Sequence, residues 1–143
     1  MILRSKSSQM SAMRIKKGMD IEMVKRGDVY IAQLDPVIGS EQGGIRPVVV
    51  AQNDSGNLCS TTVIAAVTGK NKKLYLPTHV KVGSRDIVLW DSSVIMLEQI
   101  RTLDKSRLIK YIGRLSRETI HKIDEAFLKS VGALPALGGA LCK

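Results

Sequence analysis

The sequence predicts a mainly β protein, a small and partly open antiparallel barrel followed by one amphipathic helix. Two observations support this fold class. From residue 24 onward, short apolar and β-branched runs alternate with turn-forming residues at regular spacing, which is typical of a small barrel or sandwich. Over residues 116–131 the apolar period changes from that of strands to that of a helix. A chain of 143 residues is long enough for one domain with a single core.

Six runs are predicted as strands: residues 27–34, 46–52, 61–67, 76–82, 93–100 and 108–115. Residues 53–57, N-D-S-G-N, form a turn by composition. Residues 101–105 are expected to connect the last two strands through a short helical turn.

The helix is predicted over residues 116–131, because its apolar residues recur on one face. Ser116 can cap its start, and Leu115 is placed to pack against Ile120 as a hydrophobic staple. Gly132 supplies a stop signal. The apolar face consists of Ile120, Ile123, Phe127 and Val131.

The domain itself is assigned to residues 23–132. Residues 1–22 are interpreted as an extension that is disordered or precedes the natural start, since Met23 stands directly before V-K-R-G-D-V-Y. Residues 133–143, rich in Gly and Ala, are expected to form a loose tail. No run approaches the roughly 18 apolar residues of a membrane span, and the N-terminal segment has no continuous apolar region of a secretory signal.

Charge and cysteine content narrow the class of partner. The formal net charge is +9, and because residues 1–22 carry five basic and two acidic side chains, the remainder is still about +6. Such a balance favours polyanions as partners. Cys59 and Cys142 are too isolated for a metal motif or a disulfide framework, which fits a reducing cytoplasm.

The loop before the second strand is the most informative segment. Residues 36–52 read P-V-I-G-S-E-Q-G-G-I-R-P-V-V-V-A-Q, with five glycines and prolines that break regular structure. Arg46 precedes Pro47, so its backbone is biased toward an extended conformation. A guanidinium at the lip of an apolar strand, beside small and polar residues, suits a phosphate. A surface arginine beside a hairpin loop is the alternative.

Familiar catalytic sets are absent from the sequence. There is no Gly-rich phosphate loop leading into a helix with Lys-Ser/Thr, and His79 and His121 lack metal-ligand spacing. The carboxylates Asp28, Asp35, Glu41 and Asp54 are too scattered along the sequence to indicate a two-metal site. We therefore expect neither a metal nor another cofactor, and phosphodiester chemistry would need a different arrangement.

Six blocks in order along the chain resemble the MazF/PemK family of toxin endoribonucleases. They are V-K-R-G-D-V-Y (24–30), L-D-P-V-I-G-S-E-Q-G-G-I-R-P-V-V-V (34–50), Q-N-D-S-G-N (52–57), T-T-V-I-A-A-V-T (61–68), L-P-T-H-V (76–80) and V-I-M-L-E-Q-I-R-T-L-D-K-S-R-L (94–108). The resemblance implies an SH3-like barrel, a homodimer and metal-independent, sequence-selective cleavage of single-stranded RNA. It also implies an antitoxin partner whose acidic, flexible tail blocks the RNA groove.

The resemblance assigns catalytic roles to Arg46 and Thr68. The family reaction is attack by a ribose 2′-hydroxyl on its own phosphate, giving a 2′,3′-cyclic phosphate and a 5′-hydroxyl. Arg46 can hold the phosphoryl oxygens, and Thr68 can donate a hydrogen bond to them. Substrate contacts are expected from Ser40, Glu41, Gln42, Gly43, Gly44, Gln99 and Arg101. A purely structural hairpin loop is the alternative for the first five, and a solvated barrel rim is the alternative for Gln99 and Arg101.

Two departures from the family pattern bear on base preference. The segment between Gln52 and Thr68 is one residue shorter than in the family pattern. At residues 89–93 the family's usual acidic residue followed by serine is not clearly matched. Trp90 could stack a base or lie half-buried, and the lysines of residues 70–73 could extend the electrostatic footprint or form a solvated turn. A non-enzymatic toxin that binds a topoisomerase and a plain RNA-binding barrel are the competing functions. The pair Arg46 and Thr68 argues against the topoisomerase binder, which has no reason to keep it, and a plain RNA-binding barrel would leave RNA intact after incubation.

Overall fold

The computed structural model describes residues 23–69, 76–82, 86 and 93–135. The predicted extension 1–22, the lysine-rich turn 70–73, Trp90 and residues 136–143 of the predicted tail lie outside these ranges. The elements are β1 (Asp28–Gln33), β2 (Ile45–Val50), β3 (Thr61–Thr68), β4 (His79–Lys81), β5 (Val94–Asp104), β6 (Leu108–Arg114) and α1 (Arg117–Ser130).

The six strands form one antiparallel sheet in the order β4-β5-β3-β2-β1-β6. Its described strands end in two edges, β4 and β6, so the sheet is not closed. The helix follows the last strand. These features confirm the predicted fold class, a partly open antiparallel β structure with a C-terminal helix.

Successive residues of a strand point to opposite faces of the sheet, and both faces carry buried side chains that form two separate clusters. One cluster, called here the inner core, draws on both ends of β5 and on β6, so the sheet must curve to bring these strands together. The other, the helix-side core, packs under α1. The inner core includes Tyr30, Leu34, Val48, Ile64, Met96 and Leu103. The helix-side core includes Val29, Val49, Val67, Ile95, Leu97, Ile123 and Ala126.

A bulge interrupts the pairing of β3 with β5. Ala66 pairs with Met96 while its neighbour Ala65 pairs with Ile100, so residues 97–99 have no partner on β3. Extra residues of this kind bend a strand and redirect its side chains. Before the bulge, even-numbered β5 residues belong to the inner core, and after it the odd-numbered Leu103 does.

Strand β5 is longer than the sequence predicts. Residues 101–105 were expected to connect two strands, but Arg101 pairs with Ile64 and Asp104 with Thr61. The prediction was wrong because the pairing partner lies some 40 residues away, where local composition carries no information. The helical turn is present but later, at Lys105–Arg107, where the Asp104 carboxylate accepts from the Ser106 N–H at 2.9 Å.

The helix begins as its capping signal predicts. Ser116 Oγ accepts a hydrogen bond from the Thr119 N–H at 3.2 Å, and Gly132 takes a left-handed φ of +77° just after the end. One member of the predicted apolar face is wrong: Val131 is 59% exposed, because the helix has ended at Ser130. None of the helices in the described ranges has the length and apolar character of a membrane-spanning helix.

Candidate active site

Arg46 and Thr68 lie at the same end of two neighbouring strands. The β2–β3 register pairs Val48 with Ala66 and Val49 with Ala65, and Arg46 and Thr68 each lie two residues beyond the pair Val48–Ala66 on their own strands. Because side chains alternate along a strand, Arg46 projects from the face of Val48 and Thr68 from the face of Ala66. That face is the one that carries the inner core, since Val48 and Ala66 belong to it.

The loop before β2 holds the Arg46 side chain. Arg46 Nε donates to the Gly43 carbonyl at 2.8 Å, and Nη1 donates to Gln42 Oε1 at 2.6 Å. Both acceptors are neutral. Within the described part of the chain no carboxylate forms an ion pair with Arg46. The guanidinium is therefore oriented without being neutralised, which leaves its charge for an anion.

Two glycines let this loop close on itself. The Gly44 N–H donates to Asp35 Oδ1 at 2.9 Å while φ at Gly44 is +76°, a conformation that favours glycine. A Cβ at Gly43 would stand 2.5 Å from both Asp35 Oδ1 and a methyl of Val37. The pair Gly43-Gly44 is thus required by the turn that carries Gln42 and the Gly43 carbonyl to Arg46.

A pocket of about 440 Å³ opens between this loop and the bulge of β5. On one side of the pocket a hydrogen bond joins the loop to β5, because the Gln42 N–H donates to Gln99 Oε1 at 3.2 Å. Five of the predicted substrate contacts line the pocket: Ser40, Glu41, Gln42, Gln99 and Arg101. The other predicted residues, Arg46, Thr68, Gly43 and Gly44, do not line it. Arg46 is joined to it through Gln42, and Ala66, two residues before Thr68, forms part of its wall.

Two predicted substrate contacts also have structural partners. Arg101 Nη1 donates to the Leu34 carbonyl at 3.0 Å and so ties β5 to the start of the loop. Glu41 Oε1 accepts from the Ile38 N–H at 2.9 Å and stabilises the turn at the tip. Arg107 adds a second anchor, with Nη1 2.9 Å from the Asp35 carbonyl.

One polar residue of this pocket, Glu98, was not predicted from the sequence. Its Oε2 accepts from Thr78 Oγ1 at 2.9 Å and lies 3.0 Å from His79 Nε2. The available signal was a carboxylate that follows the apolar run V-I-M-L (94–97) within a predicted strand. His79, which lacks metal-ligand spacing in the sequence, is the partner of this carboxylate. The described residues contain no group of three or more His, Cys, Asp or Glu side chains placed to hold a metal ion.

The geometry defines a class of protein: an open antiparallel sheet with a C-terminal helix, and an arginine held by a Gly-rich loop beside a polar pocket. The model of the PemK-like, MazF-like toxins of type II toxin–antitoxin systems matches residues 25–131. The chain therefore belongs to the MazF/PemK toxin family, as the sequence motifs predicted.

Similar proteins agree with this assignment. The endoribonuclease EndoA of Bacillus subtilis (strain 168) is 51% identical over 113 residues, which cover 78% of this chain and 97% of that protein. A mycobacterial endoribonuclease solved in complex with its cognate antitoxin is 25% identical and superposes with a TM-score of 0.65, covering 78% of this chain and 97% of the other. MazF of Deinococcus radiodurans, 22% identical, shares the fold with a TM-score of 0.67, covering 76% and 96%.

Proposed function

We propose that this toxin is a sequence-selective endoribonuclease that cuts single-stranded RNA, and mRNA in particular. The observation that supports the proposal is the Arg46 guanidinium, which is oriented by neutral acceptors and paired with no carboxylate among the described residues, at the end of β2 next to the end of β3 that carries Thr68. The 51% identity to an endoribonuclease over nearly its whole length supports the same activity.

In the proposed reaction the 2′-oxygen of a ribose forms a bond to the adjacent phosphorus while the bond to the 5′-oxygen breaks. The 2′-hydroxyl loses its proton and the leaving oxygen gains one, so the products are a 2′,3′-cyclic phosphate and a 5′-hydroxyl. Arg46 stabilises the charge that develops on the phosphoryl oxygens, and the Thr68 hydroxyl donates to the same oxygens. A guanidinium stays protonated above pH 12, so Arg46 is assigned charge stabilisation and not proton abstraction.

The pocket between the loop and β5 is proposed to receive a base next to the cut. Unstacked bases of single-stranded RNA are read by hydrogen bonds to their edges. Ser40, Gln42 and Gln99 line this pocket with groups that can make such bonds. Glu41 and Arg101 shape it, and Gly43-Gly44 hold the loop close to Arg46.

The proposed partners are an antitoxin and a second copy of the chain. An acidic, flexible antitoxin tail would compete with RNA for a site on a protein of net charge +9, and a mycobacterial relative is solved with its cognate antitoxin. Edge strand β6 exposes Ile109 and Tyr111, and a homodimer would cover such an edge. The site of action is proposed to be the cytoplasm, where mRNA is available.

One experiment tests the activity. Purified protein is incubated with a long single-stranded RNA in excess EDTA, and the product ends are mapped. We expect cuts at a short recurring sequence with 2′,3′-cyclic phosphate and 5′-hydroxyl ends. A single deoxyribose immediately 5′ of the cut should prevent cleavage there. RNA that stays intact would contradict the proposal and favour the competing topoisomerase-binding or RNA-binding functions.

A further inference from the structure

A cavity of about 220 Å³, called here the β4–α1 groove, lies between the edge strand β4 and the helix. Residues 77 and 79–81 line it from the sheet, and residues 122, 125, 126 and 129 line it from α1. The four helix positions recur at the spacing of one helix face. The groove is smaller than the roughly 300–1,000 Å³ of a pocket for a drug-sized ligand, so it suits one charged group of a larger ligand.

Lysines dominate the charge of this groove. Lys81, Lys122 and Lys129 line it, and Glu125 is the only carboxylate among the described lining residues. Lys122 Nζ lies 3.6 Å from Glu118 Oε1, and Lys129 Nζ lies 4.0 Å from Glu125 Oε1. Both distances exceed that of a hydrogen bond, and exposed ion pairs of this kind contribute little. The groove therefore keeps an excess of positive charge that its own side chains do not neutralise.

The edge strand adds a backbone donor. The Thr78 carbonyl accepts from the Leu97 N–H at 3.0 Å, and the Val82 N–H donates to the Ser93 carbonyl at 3.0 Å. Because bonding to β5 alternates along β4, the N–H of Lys81 points away from β5. No other strand of the described residues pairs with this edge. A backbone N–H beside lysine side chains is a combination that commonly contacts nucleic-acid phosphates.

The groove is adjacent to the substrate pocket. His79 lines the groove, and its Nε2 lies 3.0 Å from Oε2 of Glu98, which lines the pocket. The two cavities are thus separated by the turn that leads into β4. An RNA strand with a base in the pocket can cross this turn and place a later phosphate in the groove. Strand β4 has only three residues, a short edge for the addition of a peptide strand, which favours a phosphate over an acidic peptide.

We propose that the β4–α1 groove binds a phosphate of the RNA strand beyond the nucleotides at the cut, through the ammonium groups of Lys122 and Lys129 and the N–H of Lys81. The inference rests on the proposed function and adds to it a contact that holds the flank of the substrate. Phosphate contacts carry no sequence information, so the groove raises affinity for all flanking sequences alike.

The test measures binding of an RNA with one deoxyribose immediately 5′ of the cut, which is held and not cleaved. The variant Lys122→Gln/Lys129→Gln is compared with the wild type and with the control Lys25→Gln/Arg117→Gln, which removes the same charge from two exposed positions outside the groove. Fluorescence anisotropy over a salt series gives the slope of log affinity against log salt. On an RNA with long flanks, the slope of the groove variant should be smaller by about 0.7, the value for one phosphate of a single strand. The control should keep the wild-type slope, and an RNA trimmed to the recognised bases should bind all three proteins equally.

A second arm removes the charge from the RNA and needs no variant to fold. A neutral methylphosphonate replaces one phosphate at a time along the flanks. The wild-type slope should fall by about 0.7 at one flanking position, where the groove variant should be insensitive. Equal slopes for the groove variant and the wild type, an equal loss on the trimmed RNA, or no sensitive flanking position would overturn the inference. Binding of a glutamate-rich peptide that depends on these lysines, with long RNA unaffected, would overturn it too. A wild type that neither binds nor cuts RNA would instead refute the proposed function, and this inference with it.

Discussion

Arg46 Nη1 lies 2.6 Å from Gln42 Oε1, so a residue of the Gly-rich loop sets the direction of the guanidinium. The Gly43 carbonyl, 2.8 Å from Nε, holds the other edge of the same group. Because both acceptors are uncharged, the loop orients the arginine and leaves its charge for a phosphate. Loop conformation and charge stabilisation are therefore linked through these two hydrogen bonds.

Replacing Arg46 should remove most of the activity. We expect Arg46→Ala to reduce the cleavage rate by at least ~10²–10³, the usual cost of losing one donor to a transition-state oxyanion. Arg117→Ala removes the same charge from an exposed position at the start of α1 and should retain activity. Single-turnover cleavage of one defined RNA measures both, with thermal melting as the fold control. Comparable loss in the two variants would mean that only overall charge matters.

Two substitutions at Gln42 separate orientation from charge. Gln42→Ala removes the acceptor of Arg46 Nη1 and should lower kcat/KM by about tenfold, the equivalent of a net hydrogen bond of about 1.4 kcal/mol. Gln42→Glu places a carboxylate against the guanidinium, which competes with the phosphate, and should lower kcat/KM further. Steady-state kinetics on a fluorogenic RNA would show the order. Equal or higher activity in Q42E than in Q42A would refute the idea that the arginine must stay unneutralised.

The glycines of the loop should differ in why they are needed. Gly43→Ala forces a Cβ to within 2.5 Å of Asp35 and Val37 and should cost about 1–3 kcal/mol of stability. Gly39→Ala has open space but a φ of +58°, so it should cost only about 1 kcal/mol. Urea unfolding measures both. The larger fall in activity is also expected for G43A, because the displaced turn carries the acceptors of Arg46. A G39A variant less stable than G43A would contradict the close-packing argument.

The stability of the fold should respond to Asp28 as pH falls. Burial raises the pKa of this carboxyl above its ordinary value of 3.8, against the lowering effects of the Lys25 N–H and of Arg114. The folded state therefore binds the proton more tightly than the unfolded chain does. Protonation of Asp28 stabilises the fold fully below the ordinary pKa of 3.8, and this stabilisation is lost as pH rises through the folded pKa. Asp28→Asn cannot titrate. The free energy of unfolding of the wild type, relative to D28N, should be higher at pH 4 than at pH 7 in urea titrations, and a change of opposite sign would count against the burial effect.

Local patterns predicted most of the fold. The six strands and the helix follow from apolar period and from signals such as Ser116 and Gly132. What failed depends on long-range pairing: β5 continues through Arg101–Asp104 because Thr61–Ile64 lie beside it. The domain limits 23–132 stay a prediction, as do the catalytic roles of Arg46 and Thr68.

The candidate site was predicted only in part for the same reason. The motif around Gly43-Gly44 pointed to Arg46, but its contact with Gln42 is a matter of loop conformation. The position of Glu98 in the pocket was not predicted, because it depends on the bulge of β5 and no sequence spacing indicates a bulge. The carboxylate directly after an apolar run was the only signal of it in the sequence.

The interruption in β5 also limits how this toxin can change over evolution. Even-numbered residues of β5 face the inner core before the bulge, and odd-numbered residues face it afterwards. Losing or gaining one residue between Met96 and Ile100 would therefore move every side chain in the rest of the strand to the opposite face of the sheet. This segment should consequently tolerate substitutions far better than insertions or deletions. Relatives with new RNA preferences are expected to differ in its amino acids while keeping its length.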